Sequence, residues 1–287
     1  MRKALGLLLI AATLLAARAS YAQTAVCNAL APKQRQAAQK LLDSLHPYDC
    51  CDGTISACLA VRKARCKLAA RLADDVCRQV KAGRGDTDIQ AAIARRAQSM
   101  IGAPGGKPPT LAVDEAMRGG DASAPVQVVV YACTRCPFCR QLVPPLFKVV
   151  AEGPLKGKVK LYYRPFPLRD HEGSTEGGLA LMAAARLGSF WPMLLTLYDR
   201  FDQFAPEKLS AWAGEKGMDR SQFDTLFADP AVRDALVASK REGLKNKVTA
   251  TPTLFVDGKR YDYELDPGVI ADVLSEEYDR VTRTDRE

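Results

Sequence analysis

The sequence predicts an α/β protein in two parts: a small disulfide-rich α-helical hairpin, then an α/β unit that carries an inserted helical subdomain. Three observations lead there. The cysteines fall into two groups, with Cys27, Cys50, Cys51, Cys58, Cys66 and Cys77 early and Cys133, Cys136 and Cys139 bunched later. Between the groups runs Gly102-Ala103-Pro104-Gly105-Gly106-Lys107-Pro108-Pro109, which reads as a linker or exposed loop. Beyond it, apolar runs of strand length alternate with stretches of helical spacing.

The chain begins with a short basic start, Met1-Arg2-Lys3, and an apolar run from Leu5 to Ala17 broken only by Gly6 and Thr13. Small residues follow at Ser20-Tyr21-Ala22, so residues 1–22 read as a secretory signal peptide whose core is short for a membrane span. Val26 is a poor neighbour for a lipidated Cys27. The expected product is therefore secreted across the inner membrane into the periplasm, with no stable membrane insertion after signal cleavage. All nine cysteines would then sit where disulfides persist. Hydrophobic residues at 47% and charged residues at 26% are enough for an ordinary core. The formal charge of +8 falls to +5 once Arg2, Lys3 and Arg18 leave with the signal. The basic residues are scattered along helices rather than grouped with aromatics, which argues against a nucleic-acid partner.

Residues 23–85 read as the cysteine-rich hairpin. Leu30, Ala37, Ala38, Leu41, Leu42 and Leu45 follow helical spacing up to His46-Pro47. Tyr48-Asp49-Cys50-Cys51-Asp52-Gly53 is the turn, and a second stripe from Ile55 to Val80 predicts one continuous helix stopped at Gly83. On such a helix Cys58, Cys66 and Cys77 lie on the order of 12 Å or more apart, too far to bridge one another. Each must pair outside. Antiparallel packing sets Cys27 against Cys77 and divides Cys50 and Cys51 between Cys58 and Cys66. Structural disulfides are the default in a small secreted unit; a redox relay through Cys50 and Cys51, or a soft-metal site for copper(I) or zinc, is the alternative. Residues 86–118 read as a linking helix and loop, with Ile89 to Met100 helical and dimerisation as another use for it.

Residues 119–287 open with Val126 to Tyr131, a near-continuous apolar strand introduced by Ala124-Pro125. Cys136-Pro137-Phe138-Cys139 follows, then helical spacing from Arg140 to Ala151 and a second strand from Lys158 to Tyr163. About 173–246 is a helical insertion, punctuated by Gly188, Pro206, Gly217 and Pro230. Thr253 to Val256 and Arg260 to Tyr263 flank Asp257-Gly258-Lys259, a hairpin signal, and a last helix runs from Pro267 to Tyr278. Strand, helix, strand, helical insertion, hairpin, helix is the order of a thioredoxin-like fold with an inserted helical subdomain.

That order sets Cys136 at the end of a strand and the start of a helix. Unpaired backbone N–H groups and the helix dipole favour an anion there, so the thiol becomes a better nucleophile. Pro137 fits the first helical position because its missing N–H is not needed. Cys139, three residues on, lies on the same face and can close a disulfide. Cys136 reads as the more exposed attacker and Cys139 as the buried resolving thiol, with Arg135 and Arg140 adding positive potential. A zinc half-site would need two further ligands, yet this unit has no second cysteine pair and His171 is isolated, so no metal ligand is assigned.

With these residues the second unit resembles the DsbA-like branch of the thioredoxin superfamily. The resemblance spans roughly Gly119 to Tyr278 and rests on Asp121 to Val126, Cys136 to Cys139, Tyr163 to Leu168 with His171, Phe190 to Met193, and Thr249 to Gly258. It implies a cis peptide bond before Pro252 and a Thr251 backbone that pairs with an extended substrate. Pro137, Phe138, Thr251 and Pro252 thus support the catalytic pair Cys136 and Cys139. The chain departs from the pattern at three places. Phe138 stands where DsbA itself has histidine, which removes one acidifying donor; the expected Cys136 pKa is below the free value without reaching the extreme. Ala250 replaces a common glycine. Cys133 replaces a common aspartate and reads as a core thiol, a free cysteine or an additional redox partner.

The function expected is an exported protein thiol–disulfide oxidoreductase (oxidase, isomerase or reductase). Its partners would be proteins or peptides bearing thiols or disulfides, and an unidentified redox partner; it needs no cofactor beyond its redox-active disulfide. The alternative is a periplasmic copper-, zinc- or polypeptide-binding protein that uses the N-terminal cysteine-rich unit.

Overall fold

The computed structural model describes residues 24–61, 66–102 and 109–282. The expected signal peptide at residues 1–22 and the middle of the expected linker lie outside the described residues.

The N-terminal part contains α1 (Ala25–Asn28), α2 (Pro32–Leu42), α3 (Ile55–Ala60), α4 (Lys67–Lys81) and α5 (Asp86–Ile101). Thr24 caps α1 by accepting from the Cys27 N–H at 3.4 Å, and Thr54 caps α3 from the Ala57 N–H at 3.2 Å. Leu68, Ala69, Leu72, Ala73, Val76, Cys77 and Val80 form the buried stripe of α4, against which α1, α2 and α3 pack. Three disulfides tie this region: Cys27–Cys77, Cys50–Cys66 and Cys51–Cys58. The single helix expected from Ile55 to Val80 is instead two. Val61 leaves α3 with an extended backbone, ψ 99°, and Cys66 enters α4 with ψ 91°. Cys50 and Cys51, sequence neighbours about 3.8 Å apart between Cα atoms, bond one cysteine on each side of that break, Cys66 and Cys58 respectively.

Helix α5 faces two ways. Ile89 and Ile93 join the N-terminal core, while Ala92 and Met100 join the core of the second part. Between them Arg96 is 1% exposed and binds Asp75 of α4 at 2.9 Å.

The second part runs β1 (Arg118–Gly120), β2 (Val126–Ala132), α6 (Pro137–Ala151), β3 (Val159–Pro165), α7 (Ser174–Arg186), α8 (Phe190–Asp199), α9 (Leu209–Glu215), α10 (Arg220–Ala228), α11 (Pro230–Lys245), β4 (Thr253–Val256), β5 (Lys259–Tyr261) and α12 (Pro267–Thr282). The sheet order is β1-β3-β2-β4-β5. Strand β2 pairs parallel to β3, with Val128 opposite Leu161, and antiparallel to β4, with Val130 opposite Leu254. As the central strand it is covered on both faces, which is why its apolar run is nearly continuous. Val126, Val128 and Val130 pack into the large core with α6 and α12, whereas Val129 and Tyr131 face Tyr162, Phe166, Val248 and Phe255. This is a thioredoxin-like α/β fold with inserted helices, preceded by a helical region bearing three disulfides.

Strand β1 carries no apolar alternation that the sequence could reveal. It forms because β3 offers an antiparallel edge and because a side chain at Gly119 would come within 2.8 Å of the Phe147 ring. Two acidic side chains of α12 extend the Arg96 contacts, Asp272 at 2.7 Å and Glu276 at 2.7 Å. Among the described residues no helix is long and apolar enough to cross a membrane.

Candidate active site

Where β2 ends, the chain turns over Cys133-Thr134-Arg135-Cys136, closed by the Cys136 N–H donating to the Cys133 carbonyl at 3.2 Å. Helix α6 then starts at Pro137, and Cys136 is its extended N-cap residue, φ −94° and ψ 122°. Both parts follow from sequence: an apolar strand stops at the first polar pair, and proline at the first helical position has the required φ.

The Cys136 thiol donates to the Thr251 carbonyl at 3.3 Å, so the loop before β4 lies against the sulfur. The Thr251–Pro252 peptide is cis, as the resemblance implied. The two thiols of the pair are driven in opposite directions. A hydrogen bond from the Cys139 thiol is the largest influence on Cys136 and lowers its pKa to about 5 against opposing burial. The Thr251 hydroxyl and the backbone N–H groups of Cys139 and Phe138 act in the same direction. Burial first, then the bond to Cys136, pushes the Cys139 thiol far up. Cys136 is thus the readier of the two to ionise, giving up its bond to the Thr251 carbonyl when it does.

Both thiols of the pair are buried, Cys136 at 2% exposed and Cys139 at 0%, so the expected order holds by a narrow margin; the Thr251–Pro252 loop closes over them. Phe138 is the exposed residue of the motif, at 68%. The two arginines also reach the helical insertion: the Arg135 guanidinium lies 4.3 Å from the Phe201 ring centroid and 4.5 Å from that of Phe204, and Arg140 pairs with Asp202 at 2.9 Å. They fasten the active-site turn to the helical insertion.

A groove of about 510 Å³ opens beside the pair, lined in part by Phe138, Leu142, Thr251, Pro252, Leu265 and Pro267. Beneath it, the Tyr163 and Tyr198 hydroxyls meet at 3.0 Å and Tyr198 donates to the Cys133 carbonyl at 3.3 Å. Spacing does not single out Tyr198, which lies in the insertion 65 residues from Cys133. His171, isolated in sequence, has its Nδ1 3.5 Å from the Cys133 sulfur. The structure therefore brings Cys133, Cys136, Cys139, Thr251 and Pro252 together. It places the six N-terminal cysteines elsewhere, in three disulfides.

The family model described as Thioredoxin matches residues 112–275. Among curated proteins, a Na(+)/H(+) antiporter NhaA 3 from Salinispora tropica is 30% identical over 174 residues, covering 59% of this chain and 26% of that protein. A Na(+)/H(+) antiporter NhaA from Herminiimonas arsenicoxydans is 34% identical over 102 residues, 36% of this chain and 16% of that one. The chain thus spans about a quarter or less of the length of these relatives. Among solved structures, oxidised BdbD from Bacillus subtilis is 20% identical with a TM-score of 0.52, covering 60% of this chain and 99% of that one. The α-DsbA1 of Wolbachia pipientis is 17% identical with a TM-score of 0.51, covering 61% and 96%. Both likenesses concern the fold.

Proposed function

Because this chain belongs to the DsbA-like thioredoxin family, we propose that it is an exported thiol–disulfide oxidoreductase acting on protein substrates through Cys136 and Cys139. The observation that carries the proposal is the opposed pair of thiols: Cys136 lowered to about 5 at a helix start, Cys139 raised three residues on. That asymmetry divides the chemistry. In the reducing direction the Cys136 thiolate attacks a substrate disulfide, forming a mixed disulfide and releasing one substrate thiolate. Cys139 then loses its proton and attacks the Cys136 sulfur; the second substrate sulfur leaves and the Cys136–Cys139 disulfide remains. In the oxidising direction the same bonds form and break in reverse.

The Thr251 carbonyl faces the reacting sulfur, which supports an extended substrate segment running along residues 250–252. Phe138, Leu142 and Leu265 offer it apolar contact. The signal-like start supports a periplasmic site of action, with a separate protein resetting the pair. The test is catalysis of insulin reduction by mature protein, with the reduction potential of Cys136–Cys139 measured alongside to fix the direction of flow. Thr251→Arg should weaken peptide binding at least about tenfold by filling the strand-pairing position. Insulin reduction no faster than with dithiol alone would reject the assignment.

A further inference from the structure

Cys136 belongs to two overlapping Cys-x-x-Cys units, Cys136 to Cys139 and Cys133 to Cys136. The second is closed as a hydrogen-bonded turn, with the Cys136 N–H on the Cys133 carbonyl at 3.2 Å. The end residues of such a turn have Cα atoms within about 7 Å, the separation a disulfide spans. All three thiols are free and buried in one core cluster.

Cys133 has a setting that an inert core thiol does not need. Its sulfur is 3.5 Å from His171 Nδ1 and accepts from the Arg135 N–H at 3.4 Å. His171 in turn lines a separate cavity of about 480 Å³ between the loop after β3 and α11, with Leu168, Lys240 and Arg241 among its walls. The histidine connects the buried thiol to that cavity, and thus to a route for its proton.

We propose that Cys133 is a second resolving thiol for Cys136, with His171 as its proton acceptor. This rests on the exchange reading of Cys136 given above. In the mixed disulfide between Cys136 and substrate, Cys133 gives its proton to His171 Nδ1 and attacks the Cys136 sulfur. The Cys133–Cys136 bond forms and the Cys136–substrate bond breaks. The substrate sulfur leaves as a thiolate and is reprotonated, while the two protein thiols are oxidised to a disulfide by the electron pair the substrate takes. Cys139 can then attack the same Cys136 sulfur, releasing the Cys133 thiol and leaving the Cys136–Cys139 disulfide. To reach Cys136, Cys133 must leave the Arg135 N–H by a side-chain rotation, which is available to a residue with one rotatable bond before sulfur.

The consequence is that removing Cys139 does not strand the intermediate. Reduced mature Cys139→Ser and Cys133→Ala/Cys139→Ser proteins are mixed with a disulfide-bonded peptide, quenched in acid at intervals and mapped without reduction. In the single variant the mixed disulfide should vanish on the order of a hundredfold faster than in the double variant, because closure is intramolecular. A Cys133–Cys136 crosslinked peptide should accumulate in its place. His171→Ala in the Cys139→Ser background should slow that closure, and His171→Gln should not restore it. Equal lifetimes with no Cys133–Cys136 peptide would overturn the inference while leaving Cys136 exchange intact. Absence of any mixed disulfide in both variants would overturn it together with the exchange reading. Should the double variant fail to fold, the crosslinked peptide in the single variant still decides.

Discussion

Cys66 and Cys136 occupy the same local position, each the extended residue just before a helix, α4 in one case and α6 in the other. Cys66 is bonded to Cys50, 16 residues away on a different segment, whereas the pair partner of Cys136 is Cys139, one turn along its own helix. Opening Cys50–Cys66 releases a tether between segments. Opening Cys136–Cys139 releases nothing, since the helix itself holds both sulfurs in place. A helix start makes a thiolate easier to form, and in α6 the resolving partner Cys139 sits on the same rigid element. The remaining disulfides fit that contrast: Cys27–Cys77 joins α1 to α4 across 50 residues, and Cys51–Cys58 joins the turn to α3.

The largest effect expected on either side of this comparison is Cys136→Ser, which should reduce insulin reduction to the uncatalysed rate while the three N-terminal disulfides stay formed. The paired change Cys50→Ala/Cys66→Ala should do the opposite, keeping exchange chemistry while destabilising the N-terminal region. Exchange lost in the second variant while it remains folded would mean that the two cysteine groups communicate, and the contrast would break.

Next in size is the seam between the two parts. Arg96 is buried and answers three carboxylates, Asp75, Asp272 and Glu276, while Tyr48 also donates to Glu276. Burial pushes the Glu276 carboxyl up, and the Arg96 charge opposes it. Removing the cation strands anions out of water, so Arg96→Met should cost about 3–5 kcal/mol in denaturant unfolding. Removing Cys27–Cys77 as Cys27→Ala/Cys77→Ala should cost about 2–5 kcal/mol. If Arg96→Met proves neutral, the N-terminal region is held by its apolar contacts and not by these charges.

Much of this was legible from residue order. The strand of Val126 to Tyr131, the motif after it and the helical stretch from Ser174 to Lys245 follow directly from apolar period and breakers, because a doubly covered central strand and inserted helices leave strong local patterns. The Cys27–Cys77 pairing followed from antiparallel packing of the hairpin, although the single helix assumed for its second arm is two. What escaped depends on tertiary contact. Strand β1 exists because of β3's free edge, not because of Arg118-Gly119-Gly120. The break between α3 and α4 falls where the sequence has no glycine or proline to signal it. The burial of Cys136 comes from a loop 115 residues away in sequence, and the contact of His171 with Cys133 from a different one, the loop after β3, 38 residues away.

The smallest effect tests what Phe138 withholds. The reduced protein should show a thiolate absorbance with a midpoint near pH 5, against an ordinary thiol value of 9.0. That position is intermediate between the strongest known acidification, about 3.5, and the upper end of activated thiols, about 7.5. The sign for stability follows from proton binding. Between about 5 and 9 the unfolded reduced chain binds the Cys136 proton that the folded chain has lost. The folding stability of the reduced form therefore rises with pH across that window, is fully present above it, and is lost as pH falls through about 5. The oxidised form, with no such thiol, should lack this dependence. Phe138→His would add a donor and, near pH 5, a positive charge beside the sulfur. It should lower the midpoint by about one unit and make the pair more oxidising by about 30 mV, because the thiolate favours the reduced state. Phe138→Ala adds no donor, so it should leave the midpoint in place and weaken peptide binding in the groove instead. A midpoint that moves equally in both variants would mean that Phe138 acts by excluding water from Cys136 and not by the hydrogen bond it fails to make.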